Sequence, residues 1–179
     1  MRRYAPIAYA TAAAAVAAPP LLVASDIALV MFISTPGLIL QRLAVGLFGP
    51  AVAGVVLIAQ SHLRWAAALG AALAIIGASA IVLSPETLVV AIFPPAVLFP
   101  FGLLVLSGAT IGSATLRRPA ALMGVGALLF PFGHISGLPP LLIGGDGLLL
   151  AAFWMLAPRM AHLNPKSRIP NPKSQRMGS

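Results

Sequence analysis

The chain has 179 residues, 60% of them hydrophobic and only 8% charged, with a formal net charge of +8 and no cysteine. A soluble domain carries about 25% charged residues, so this composition leaves too little polar surface to cover a fold in water. The missing cysteine excludes disulfides, thiolate chemistry, cysteine-ligated metal and a lipobox anchor.

The apolar runs do not alternate with polar residues, as barrel strands must, and a bilayer requires every backbone group to be satisfied inside the protein. The expected fold is therefore an all-α, polytopic integral membrane bundle. Its six transmembrane helices lie at about 12–33, 43–59, 65–83, 88–106, 119–138 and 141–157. The first follows Arg2-Arg3 and an alanine-rich run. Small residues around Val23-Ala24-Ser25 also resemble a secretory cleavage site, but the apolar pattern runs on past Asp26 to Ile33, long enough to span. The second is short, and at 1.5 Å per residue Leu43–Ala59 reaches only about 25 Å, so it must stand upright or draw in its flanks. The third carries Ala66, Gly70, Ala74 and Ala78 at four-residue spacing, and Gly108 with Gly112 and Gly133 with Gly137 repeat that interval. Helices in lipid associate through close packing at small residues, so these positions are read as helix contacts. Pro100 and Pro131 fall near the middle of the fourth and fifth spans, where a missing N–H predicts kinks.

Polar connections are expected at Ser34–Arg42, Gln60–Arg64, Ser84–Thr87 and Ser107–Arg118. Residues 1–160 then form one domain. Beyond it, Asn164-Pro165-Lys166-Ser167 recurs as Asn171-Pro172-Lys173-Ser174, and 161–179 reads as a disordered basic tail. With the N-terminus inside, Arg2, Arg3, Arg64, Arg117, Arg118, Arg159, Lys166, Arg168, Lys173 and Arg176 all face the cytoplasm, leaving Arg42 outside. Loop Lys/Arg bias sets orientation, so both termini are expected in the cytoplasm of a multi-pass cell-membrane protein. These cations sit beside apolar spans without interleaved aromatics, a pattern that suits anionic lipid at the cytoplasmic face and argues against nucleic acid.

Two short segments recur. Pro19-Pro20-Leu21-Leu22-Val23-Ala24-Ser25-Asp26 is echoed by Pro139-Pro140-Leu141-Leu142-Ile143-Gly144-Gly145-Asp146. Ala96-Val97-Leu98-Phe99-Pro100-Phe101-Gly102 is echoed by Ala127-Leu128-Leu129-Phe130-Pro131-Phe132-Gly133. Counting along the spans places Asp26, His134 and Asp146 at similar depth, all in the outer third. Ionisable groups at membrane depth point to function, so these three form a candidate polar cluster or ion and proton site. His62 and His162 lie at the inner interface, too far from His134 for a bis-histidine haem, and no phosphate-binding glycine loop is present. The sequence carries no expectation of a cofactor or of catalysis. The leading expectation is a non-catalytic membrane protein acting through helix packing, with a membrane-protein partner or a second copy. Its rival is a small carrier or proton-linked permease using the outer cluster.

Overall fold

The structure, a computed structural model, describes residues 5–31, 34–59, 64–83, 94–136 and 138–162. Six helices follow one another: α1 (Ala5–Val30), α2 (Ser34–Ile58), α3 (Arg64–Leu83), α4 (Pro94–Thr110), α5 (Arg117–Ser136) and α6 (Pro139–Ala161). No strand occurs among the described residues. Five of the six are long and apolar enough to cross a membrane, and α4 is the shorter apolar member.

Several boundaries differ from the sequence expectation. The largest difference is at α2, which begins at Ser34 and absorbs the connection expected at Ser34–Arg42. Pro36 stands in the first turn, where a helix has no use for its missing N–H. Gln41 turns into the bundle and Arg42 is partnered, so polar residues that read as loop are accommodated within helix. Helix α1 starts seven residues before position 12, and α4 runs on to Thr110, shortening the expected Ser107–Arg118 connection to 111–116. Glu86, the expected Ser84–Thr87 connection, positions 88–93 of the expected fourth span, His62 and the tail from 163 onward lie outside the described residues.

Contacts between neighbours show that the helices alternate in direction. Gly37 meets Leu29 near one end of the α1/α2 pair and Gly54 meets Thr11 near the other. The same reversal relates Gly70 to Leu106 and Gly77 to Phe99 in α3/α4, and Gly126 to Leu149 and Gly133 to Leu142 in α5/α6. Each helix packs on the next, and α6 returns against α1, closing a ring. Rings from four helices fill its centre. Phe48 of α2 meets Phe99 of α4 at 5.4 Å and Phe153 of α6 at 5.1 Å, and Phe99 meets Phe130 of α5 at 5.7 Å, all edge to face.

The second echo now has a structural meaning. In both copies the first phenylalanine enters this aromatic centre while the second, Phe101 or Phe132, is exposed. The closing glycine packs on helix backbone, Gly102 on Ala74 and Gly133 on Leu142. Pro100 and Pro131 lie within α4 and α5, which continue past them. The expected stripe on α3 is used within the molecule, since Gly70, Ala74 and Ala78 are buried and Ala66 is partly so. The expectation for Gly108 and Gly112 is not met. Both are exposed, and a Cβ built on either finds nothing within 4 Å, because α4 ends at Thr110 with no helix opposite. Gly137 lies outside the described residues.

The diproline in α1 poses a backbone problem that α6 answers. Pro20 cannot donate to the Val16 carbonyl, and the indole N–H of Trp154 donates to that oxygen instead at 3.1 Å. Pro139 and Pro140, by contrast, open α6, where proline is tolerated. Trp154→Phe keeps an aromatic ring and removes the donor, and should lower stability by about 1 kcal/mol or more, read as an earlier midpoint in detergent unfolding.

Arg64, Arg117, Arg118 and Arg159 are all exposed at the end where α1 begins and α6 finishes. The Arg159 guanidinium donates to the Thr115 carbonyl there, tying α6 to the α4–α5 turn. Of the described arginines, Arg42 alone stands on the opposite half.

Candidate functional site

Away from the basic end, α1 and α6 each place one carboxylate on the stripe that faces the bundle. In α6 the buried stripe runs through Gly145, Asp146, Leu149, Ala152, Phe153, Leu156 and Met160. Asp146 thus shares a face with Phe153 two turns away, about 10 Å along the axis. In α1, Asp26 lies one turn from buried Leu22 and beside buried Ser25. Asp26 is 1% exposed and Asp146 0%. Their carboxyl groups lie within hydrogen-bond reach of one another. The first echo therefore ends in two aspartates that meet, and the antiparallel α1–α6 contact that closes the ring is what joins them.

The surroundings of this pair are sparse. Ser25 Oγ lies 3.3 Å from Asp26 Oδ1 and donates to the Leu22 carbonyl at 2.8 Å. Asp26 Oδ2 and both Asp146 oxygens are buried, and no donor reaches them among the described residues. Two bare carboxylates touching in a dry interior repel, whereas a proton on one turns the same contact into a hydrogen bond. The arrangement is thus suited to holding a proton or a small cation between two helices.

Asp146 sits within Gly144-Gly145-Asp146-Gly147. Gly145 packs on Leu129 and the Phe130 backbone, but a Cβ at Gly144 or Gly147 would touch nothing within 4 Å. Packing does not require glycine at those two positions, and each costs about 1 kcal/mol of helix propensity relative to alanine. The turn of α6 carrying Asp146 is therefore weak by composition.

His134 has other company. Its Nδ1 lies 2.9 Å from the Phe130 carbonyl, its Nε2 lies 3.4 Å from Gln41 Nε2, and its ring lies 4.3 Å from that of Phe130. Among the described residues no three His, Asp or Glu side chains converge as a metal site would require. The expected cluster thus resolves into an Asp26–Asp146 pair and a separate His134–Gln41 contact that links α5 to α2. Ser25 and Gln41 were not anticipated. Ser25 was visible as the polar neighbour of Asp26 in the echo, while Gln41 was hidden in a segment read as loop. The carbonyl of Phe130 can only accept, so Nδ1 carries a hydrogen toward it, and with the Gln41 amide in this orientation Nε2 accepts from Gln41. Nitrogen chemical shifts of labelled histidine should show that tautomer at His134 in the native chain and a mixture in Gln41→Leu.

No protein family, no curated protein and no solved structure matches the chain.

Proposed function

We propose that the chain is a non-catalytic, multi-pass cell-membrane protein of the carrier class, in which Asp26 and Asp146 hold an exchangeable proton. The observation that carries this reading is the meeting of two fully buried carboxyl groups on neighbouring helices, with no basic partner at their free oxygens among the described residues. A structural contact between helices in lipid is made at lower cost by small or apolar residues, as the α3–α4 and α5–α6 contacts of this chain are. The gathering of arginines at one end favours the orientation with both termini in the cytoplasm and that end against anionic headgroups. The acid pair then lies toward the outer face.

The test is proton movement in zwitterionic vesicles containing the purified full chain and an internal pH dye. An imposed pH step should collapse faster with the native chain than in empty vesicles. Asp26→Asn and Asp146→Asn should each slow it roughly tenfold or more while the helical circular dichroism is kept. Equal rates in the native chain and both variants would remove the reading and leave a bundle that acts through packing or a partner.

A further inference from the structure

The donor set at the pair specifies more than a proton. Among the described residues, Asp26 Oδ2 and both oxygens of Asp146 lack donors, although the two residues are 99–100% withdrawn from solvent. Ser25 Oγ stands beside them with lone pairs free, because its single hydrogen is directed to Leu22 or Asp26. Every one of these ligands is a hard oxygen. No third His, Asp or Glu joins them among the described residues, and the chain has no cysteine, so metals that prefer nitrogen or sulfur are disfavoured. Calcium seeks six to eight oxygens and magnesium keeps several waters, neither of which fits two carboxyls in a dry helix contact. A small monovalent cation replaces a proton charge for charge and asks least of the site.

Resting on the carrier reading above, we infer that Asp26, Asp146 and Ser25 bind one hard monovalent cation of the sodium or lithium class in exchange for the shared proton. Binding breaks one carboxyl O–H bond and releases one proton for each cation taken up. Entry is through the Gly144–Gly147 turn, where two glycines that packing does not require weaken the helix beside Asp146. Once loosened, that turn also offers carbonyl oxygens to the ion, as interrupted helices do in transporters. Among the described residues, the other charged or titratable groups near this end of the packed helices are Arg42 on α2 and His134 on α5. Arg42 has a partner of its own, and His134 is held by Gln41 and Phe130. Tyr9 of α1, Arg117 and Arg118 of α5, and Arg159 of α6 lie toward the basic end. The exchange is therefore assigned to the aspartates.

Thermal unfolding of the purified full chain tests this at constant ionic strength, with sodium or lithium chloride replacing choline chloride and potassium chloride as a size control. Sodium and lithium should raise the midpoint, potassium should do so less, and the half-saturating sodium concentration should rise about tenfold per pH unit as protons compete one for one. Asp26→Asn and Asp146→Asn should remain helical and lose the response, Ser25→Ala should need several-fold more sodium, and His134→Ala should respond like the native chain. An equal sodium response in both Asn variants, or none in the native chain, overturns the inference. Proton movement in vesicles without any sodium response keeps the carrier reading and sinks the cation site. A sodium response without proton movement does the reverse.

Discussion

Gly102→Leu separates α3 from α4 and leaves the chain unable to fold to its native midpoint. A Cβ at Gly102 would stand 2.2 Å from the Ala74 nitrogen and 2.5 Å from the Gly70 carbonyl oxygen. The contact is reciprocal, since a Cβ at Gly77 would stand 2.2 Å from the Phe99 nitrogen. The obstacles are backbone atoms on both faces, so no side chain can rotate aside. Even Gly102→Ala must part the helices by about an ångström, and overpacking of this kind costs about 3 kcal/mol or more where the surroundings cannot relax. Phe99 would move with α4, and with it the edge-to-face contacts to Phe48 and Phe130. Gly108→Ala lies on the same helix with nothing within 4 Å and should be neutral or stabilising by up to about 1 kcal/mol. Reversible unfolding in mixed detergent, followed by tryptophan fluorescence, compares them directly. Matching midpoints for Gly102→Ala and Gly108→Ala would show that the close approach is not what holds the pair.

Removing both acids should harm the bundle less than removing one. In Asp26→Val the carboxyl of Asp146 loses its only identified side-chain partner while staying fully buried, and Asp146→Val strands Asp26 with Ser25 alone. Each single change should cost about 1–3 kcal/mol, the usual consequence of leaving a buried polar group unsatisfied. The double variant has no polar group left to strand and gains apolar contact between α1 and α6, so it should recover most of that loss. The coupling free energy in such a cycle is expected between about 1 and 3 kcal/mol in favour of the double change. Additive losses would mean that the two side chains do not act on one another. The double variant should also be inert toward protons and sodium, which separates folding from activity.

How far the sequence alone leads differs sharply between residues. Composition and unbroken hydropathy suffice for six apolar helices, because burial in lipid is set by local sequence. Equal depth along the spans was enough to single out Asp26 and Asp146. That they touch is a property of the closed ring, which sets residues 120 positions apart against one another and leaves no local trace. His134 shows the converse limit. Its depth matched the aspartates, but its direction around α5 and its bond to Gln41 depend on where α2 lies. Spacing of small residues identified Gly70, Ala74, Ala78 and Gly133 as contacts, yet gave the same signal at Gly108 and Gly112, where no partner helix stands opposite. Gly77 and Gly102, the tightest contacts of all, carried no such interval, since what selects them is the neighbour's backbone rather than their own repeat.

The phenylalanines at the centre of the ring bear on how such a protein lives in an energised membrane. Phe48, Phe99, Phe130 and Phe153 form an unbroken chain of edge contacts contributed by four helices. On the proposed carrier reading, an ion or proton leaving the aspartates for the basic end would meet packed rings, the first of them Phe153 two turns along α6. Each one-for-one exchange would then need a ring to swing aside, and no open path would persist between exchanges.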